Sequence, residues 1–176
     1  MNVKDEGIQN PLASANSLRI ALEYINKGNA GLNEHRTNLL NRVPNQYEWV
    51  RLARNMISLE DLAFLSASTD DEFALFRGKN EDILYHGDHM TCPIEKDETL
   101  MILCKEHKVK LIAHTHNDIE RIVPSQGDKR FLRAIGQKES IIVSYITGKI
   151  LKYTSDFIWL RRVIIDAEYK RINWNW

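Results

Sequence analysis

Two histidines and an aspartate in one short stretch are the residues of this sequence best suited to hold a metal ion. The run KLIAHTH ends with His114 and His116. After a loop comes SQGD, which begins at Ser125 and ends at Asp128. Residues two apart on a strand point to the same face, so both imidazoles can reach one point. Asp128, in the first turn of a predicted helix, can turn back toward the strand's end. Three protein ligands and an open fourth position are typical of catalytic zinc sites.

Each half of this pattern also has a plain structural interpretation. The chain has six histidines, so a single His-x-His pair can arise by chance. A Ser-x-x-Asp at a helix start is also what simple capping of the helix looks like. Both halves on one strand-loop-helix unit indicate a metal site more strongly than either half alone.

The combination resembles the signature of the JAMM (MPN+, or JAB) metallopeptidases, in which His-x-His lies on a strand and Ser-x-x-Asp on the following helix. The family also uses a glutamate from an earlier strand, and Glu72 opens the run EFALFRG in the corresponding place. The stretches DEFALF, AHTH, PSQGDKRFL and QKES are similar to the bacterial and phage-associated branch, which includes modules attached to phage head-morphogenesis proteins. The resemblance covers about residues 60–155.

Two features depart from the family's pattern. Asn117 stands where the family commonly has proline, and the segment from His114 to Ser125 is one residue longer than the commonest spacing. Neither change removes a ligand, the glutamate or the serine, so we predict an intact site.

The resemblance implies a role for each of these residues. Zinc would be held by His114, His116 and Asp128, and would make its bound water acidic enough to supply hydroxide near pH 7. Glu72 would act as general base and then as general acid. Ser125 would donate a hydrogen bond to the oxyanion of the tetrahedral intermediate.

The implied reaction is hydrolysis of a peptide or isopeptide bond in a protein substrate. In the family this bond often lies beside the C-terminal tail of ubiquitin or a ubiquitin-like protein. A bacterial effector or toxin, or a phage-associated protease, is the expected setting. The alternative is a catalytically inactive, MPN-like scaffold that binds protein. A structural or DNA-associated phage protein ranks last, because the sequence has no basic patch.

Other residues that could bind ligands are weaker candidates. The segment HGDHMTC offers His86, His89 and Cys92 at ligand-like spacing, in a turn-rich stretch without a fourth partner. Three tryptophans near the C-terminus are expected to pack rather than to form a binding platform; they are Trp159, Trp174 and Trp176. Cys92 and Cys104 form no Cys-x-x-Cys pair, so neither a disulfide framework nor a zinc ribbon is predicted.

Composition narrows the functional class. The 24 basic residues balance 24 acidic ones, which argues against nucleic-acid binding. The N-terminus lacks an apolar signal core, and no window approaches the length of a membrane span. We therefore expect a cytoplasmic protein, with export by a route that needs no cleavable signal as the alternative. The oligomeric state is not predicted.

Helical patterns dominate the first part of the chain. After a leader over residues 1–12, the run SANSLRIALEYINKG predicts a helix that stops at Gly28. A second helix is predicted over about 32–42. A third is predicted from Pro44 through QYEWVRLARNM, because proline is favoured in a helix's first turn. SLEDLAFLSAS opens with Ser58 and Asp61 in a capping-box pattern and predicts a fourth.

Strand patterns follow Thr69. EFALFRG and DILYHGD predict a hairpin, and DETLMILCKEHK an amphipathic helix capped by Asp97. KLIAHTH, SQGDKRFLRAIGQK and ESIIVSYI predict a strand, a helix and a strand, and KILKYT pairs with the last across Thr147-Gly148. The order β-β-α-β-α-β-β predicts an α/β fold with a mixed sheet. We assign residues 61–176 to a JAMM-like metallopeptidase domain of cytidine-deaminase-like architecture, and residues 1–60 to an N-terminal helical extension.

Overall fold

The computed structural model describes residues 33–117, 122–146, 149–156 and, for the backbone alone, 162–163. Several predictions lie outside these residues: the leader, the helix that stops at Gly28, the turn at Thr147-Gly148, and the three C-terminal tryptophans Trp159, Trp174 and Trp176.

Four α-helices and one short 3-10 turn are present in the described residues. Each α-helix begins after a residue whose side chain accepts a hydrogen bond from a backbone N–H of the first turn, as helix N-termini require. The predicted helices after Ser58, Asp97 and Ser125 are thereby confirmed. The bounds are α1 Glu34–Leu40, α2 Leu59–Thr69, the 3-10 turn Ile94–Lys96, α3 Glu98–Glu106 and α4 Gln126–Ala134.

The strands form a single mixed sheet in the order β1-β3-β2-β4-β5-β6-β7. β4 and β5 are parallel, and every other pair of neighbours is antiparallel. The predicted mixed α/β class and the hairpin of β2 and β3 are therefore confirmed. The bounds are β1 Trp49–Ala53, β2 Phe73–Arg77, β3 Glu81–His86, β4 Lys110–His116, β5 Glu139–Ser144, β6 Ile150–Thr154 and β7 Arg162–Val163.

The helix predicted from Pro44 is wrong, because residues 49–53 form β1, a strand at one edge of the sheet. β1 pairs with β3, with Trp49 opposite Tyr85. Tyr47 and Asn55 adopt left-handed backbone conformations, with φ of 66° and 62°, and flank the strand. Pairing with β3 thus overrides the helical propensity of the segment. The boundary at residue 60 stays a prediction, and β1 lies before it.

Helices cover both faces of the sheet. α1 and α2 pack on one face, where the core includes Leu62, Phe73 and Ala113. The other face packs α3 and α4, through residues such as Leu100 and Leu132. The sheet is therefore the middle layer of three. Within the described part of the chain, no helix is long and apolar enough to cross a membrane.

A bulge in the central strand β4 sets the orientation of its second half. Leu75 lies opposite Ala113, whereas the next residue, Phe76, lies opposite Leu111, so Ile112 is the extra residue. Ile112 and Ala113 both pack on the α1/α2 side, and Leu111 packs on the α3/α4 side. Such a bulge commonly re-aims side chains next to a functional site. Here it lets Leu111 enter the α3/α4 core while the residues after Ala113 resume regular alternation.

Candidate metal centre

The strand β4 and the helix α4 bring His114, His116 and Asp128 together. His114 and His116 are two apart in β4 and share its α3/α4 face, while Thr115 points the other way. The Thr115 hydroxyl lies 2.7 Å from the Ser66 hydroxyl of α2 and accepts the backbone N–H of Phe73 at 2.8 Å. These bonds fix the centre of the His-x-His segment from the opposite side of the sheet.

The potential ligand atoms converge on one point. The Nε2 atoms of His114 and His116 lie 3.0 Å apart. The Asp128 carboxylate lies 3.2 Å from Nε2 of His114 and 3.6 Å from Nε2 of His116. A tetrahedral ion with bonds of about 2.0–2.1 Å would separate its ligand atoms by about 3.3 Å. This His-His-Asp group therefore has the donors and the spacing to hold a metal ion.

Asp128 is also the carboxylate of the capping box that begins α4. Its Oδ2 accepts the backbone N–H of Ser125 at 2.6 Å, and its own N–H donates to the Ser125 hydroxyl at 3.0 Å. Burial by itself would raise the pKa of Asp128, but the charge of His114 and the hydrogen bonds of both histidines outweigh it. The pKa consequently lies well below its ordinary value. The carboxylate is therefore held ionised, as a metal ligand must be.

His114 has one unusual feature for a metal ligand. Its Nδ1 atom is buried and has no hydrogen-bond partner among the described residues, whereas metal-binding histidines usually donate this second N–H to an oxygen. The Tyr153 ring packs edge-on against the imidazole, with 5.7 Å between ring centroids. At the Nδ1 side, packing rather than a hydrogen bond therefore holds the ring.

Strand pairing brings Glu72 toward the cavity that holds the His-His-Asp group. Ala74 lies opposite His114 in the antiparallel pair of β2 and β4, and continuing this register by two residues puts Glu72 opposite His116. The Glu72 N–H donates to the carbonyl of Asp88 and its carbonyl accepts the N–H of Gly87, both at 2.8 Å. The residue is 6% exposed. Its backbone is thus held by the loop after β3.

A cavity of about 360 Å³ joins these groups, and its lining includes Glu72, Ser125 and the three metal-binding candidates. The Ser125 hydroxyl accepts the N–H of Asp128, so the structural interpretation of Ser-x-x-Asp as a capping box is correct. A serine hydroxyl can accept and donate at once, so capping leaves its proton for another acceptor. All five residues singled out from the sequence therefore line one cavity.

Sequence reasoning missed the loop after β3 as part of this cavity. Met90, Thr91 and Cys92 line it, and the Asn117 side chain donates to the carbonyl of His89 at 3.0 Å. Asn117 therefore ties the end of β4 to this loop. The signal in the sequence is Gly87, where an added Cβ would come within 2.3 Å of the Thr91 carbonyl oxygen.

Cys92 is a thiol that the cavity keeps protonated. Burial raises its pKa well above the ordinary value, and the negative charges of Glu72 and Asp128 raise it further. Since the thiolate is the form that binds metal or attacks an electrophile, Cys92 acts here as a neutral wall of the cavity.

The second metal site suggested by His86, His89 and Cys92 is not formed. His86 Nε2 lies 2.9 Å from the Asp71 carboxylate, and its ring stacks on Phe73. His89 Nδ1 lies 2.9 Å from the carbonyl of Asp70. In the part of the chain that the structure describes, the only cluster of three or more metal-binding side chains is that of His114, His116 and Asp128.

Comparisons with known proteins found no match, so a proposed function must be argued from the geometry of the His-His-Asp group. No family model matches the chain, and no curated protein or solved structure is similar enough to match it.

Proposed function

We propose that the protein is a zinc-dependent peptidase or isopeptidase of the JAMM type. The observation that carries the proposal is the convergence of two imidazoles and one carboxylate, with ligand atoms 3.0, 3.2 and 3.6 Å apart. The placement of Glu72 before β2, of the histidine pair on β4 and of Ser125 at the start of α4 supports a JAMM-like fold, because the family distributes its motif in the same way.

The chemistry of the donors favours zinc. Imidazole nitrogens with one carboxylate suit this ion, whereas magnesium and calcium prefer oxygen ligands. When bound, zinc supplies Lewis acidity that activates water and polarises a carbonyl group. Three ligands from the protein leave a coordination position open, as catalysis requires.

The chain's own residues move the protons and stabilise charge. Glu72 accepts the proton of the attacking water and passes it to the leaving amine nitrogen. It lines the same cavity as the metal-binding group. Ser125 donates its hydroxyl proton to the oxyanion. The cavity walls include the weakly polar side chains of Cys92 and Phe131, next to which both interactions would be stronger than in water.

We propose a protein substrate, with an extended C-terminal tail of the ubiquitin-like kind as the leading candidate, and a cytoplasmic setting. A tail that adds to a sheet edge binds mainly through main-chain hydrogen bonds, so the side chains of the cavity leave its sequence open. An inactive protein-binding scaffold is the alternative that the experiment must separate from the enzyme.

The first test is the metal content of the purified chain beside that of His116→Ala. We expect one zinc per chain, lost in the variant. As a check on position, His107→Ala removes an exposed histidine that does not line the cavity and should keep the metal. The absence of zinc from the natural chain, even after incubation with the ion, would overturn the proposal.

The second test separates enzyme from scaffold. Glu72→Gln should keep its zinc and lose hydrolysis of reporter proteins fused behind a panel of ubiquitin-like tails. Glu95→Gln is the matched control, because Glu95 lines the same cavity but is exposed at its rim; it should retain activity. Full activity in Glu72→Gln would show that Glu72 is not the general base. Zinc and substrate binding without cleavage by the natural chain would favour the scaffold.

A further inference from the structure

A larger cavity lies at the other end of β4. The parallel pairing of β4 with β5 begins at Ala113 and Ile141, so the first residues of the two strands diverge. Side chains bridge the gap: the Gln137 amide bonds to both backbone groups of Leu111, at 2.9 and 2.7 Å, and the Ser140 hydroxyl donates to the Leu111 carbonyl at 3.1 Å. These bonds hold the strands apart in a fixed geometry and satisfy the backbone groups that a continuous ladder would have paired.

The gap opens into a cavity of about 530 Å³, within the range of small-molecule sites. Its walls are mostly apolar and include Val109, Ile112 and Ile135. The cavity opens at the Lys110 end of β4, and the metal centre lies at the His116 end, with Leu111 in the wall between the two cavities.

The charged groups of this cavity are nearly all of one sign. Five lysines line it, contributed by α3, by the segment that leads into β4, by β4 and β6, and by the loop before β5: Lys105, Lys108, Lys110, Lys152 and Lys138. Glu139 is the one acidic residue of the lining, and it forms an ion pair with Lys152. The whole chain is formally neutral, so this concentration of positive charge is a local feature.

We propose that this cavity binds a small carboxylate that carries an apolar chain. The walls would bury the chain, with a gain proportional to the apolar area removed from water. The lysine ammonium groups act as point charges and would neutralise the carboxylate at the entrance. The proposal does not depend on the function proposed for the metal centre.

Octanoate is the probe for the test, titrated into the full chain and followed by the amide resonances of a nitrogen-15-labelled sample. We expect the shifts to concentrate at Ile112, Ile135 and Gln137, with Met90 and Asn117 at the metal centre unaffected. Octanol, which lacks the charge, and acetate, which lacks the chain, should each bind more weakly. Higher salt should weaken octanoate binding, because the lysines are exposed to solvent.

A matched pair of double variants tests the charge. Lys105→Glu with Lys138→Glu reverses two exposed charges on different sides of the cavity and should weaken octanoate binding roughly tenfold. Lys79→Glu with Lys96→Glu makes the same change of net charge at exposed sites outside the cavity and should leave the affinity unchanged.

Three results would overturn the proposal. They are equal affinity for octanol and octanoate, equal weakening in the two double variants, and shifts that spread away from the cavity. The comparison of octanoate with octanol uses the natural chain alone, so the proposal remains testable even if a variant folds poorly.

Discussion

The two helices that begin with a capping box, α2 and α4, use the same four-residue pattern in different surroundings. In both, serine caps the helix and the aspartate three residues later accepts the serine's backbone N–H. Asp61 of α2 faces Arg36 and the exposed His35. The Arg36 guanidinium lies 3.2 Å from the carboxylate, and its side chain is almost fully buried. Asp128 of α4 faces His114 and His116.

The difference lies in the basic side chain that completes each box. Arginine is permanently charged and cannot give up its proton to make room for a metal ion. An imidazole can give up its proton and then offers a lone pair to a metal ion. The same Ser-x-x-Asp therefore makes a structural ion pair at α2 and a potential metal site at α4. Whether a capping carboxylate becomes a ligand is decided by the side chains that face it.

The largest expected contrast between the two boxes is in metal binding. Asp128→Asn should weaken zinc binding on the order of 100-fold, because a carboxylate ligand is replaced by a neutral amide. Asp61→Asn should leave it unchanged. Titration with zinc against a competing chelator measures both affinities, and equal losses would mean that the two boxes do not differ as described.

For stability, the substitution in α2 should have the larger effect and the one in α4 the smaller. Asp61→Asn should lower the free energy of unfolding by about 3 kcal/mol, because the variant leaves Arg36 buried without its carboxylate. Asp128→Asn, measured with chelator present, should cost less, since no permanently charged guanidinium loses its carboxylate there. Urea denaturation measures both values. A larger loss in Asp128→Asn would show that α4, not α2, depends on its ion pair.

Acidification should reduce the loss of stability in Asp61→Asn. Burial raises the pKa of Asp61, but hydrogen bonds from Ser58, His35 and Arg36 outweigh it and hold the pKa below the ordinary 3.8. Its stabilising effect is thus complete above that value and is lost as the pH falls toward the folded-state pKa. The deficit of Asp61→Asn should shrink below pH 3.8 by at most about 1.4 kcal/mol per pH unit. Urea midpoints at several acidic pH values test this.

The two capping serines should differ least in their contribution to stability. Ser58→Ala and Ser125→Ala should each cost about 1 kcal/mol, the usual value of an N-cap. Only Ser125→Ala should also slow hydrolysis in the reporter assay. If both variants hydrolyse the reporter at the natural rate, Ser125 is a capping residue alone.

Features encoded within a few residues were predictable from the sequence. Both capping boxes, the β2/β3 hairpin and the shared face of His114 and His116 depend on spacing along one element. That Glu72 lies near the two histidines could be proposed only through the family resemblance, because nothing near Glu72 in the chain indicates which strand it will face.

Features created by pairing between distant segments were not predictable. β1 is an example: proline at position 44 favoured a helix, only Leu52 of the strand is buried, and pairing with β3 decides the structure. The bulge at Ile112 depends on the register of β2 against β4. The cavity loop around Cys92 depends on backbone bonds between Glu72 and the residues after β3.

The pairing of β2 with β4 also separates two stages in the chain's assembly. The three metal-binding candidates lie between positions 114 and 128, on one strand and the helix that follows it, so a short loop closure brings them together. Glu72 joins them only once β2 has paired with β4, a contact between distant parts of the chain that forms more slowly. Under the proposed function, a nascent chain would have its metal-binding group before it has the base that cleavage requires.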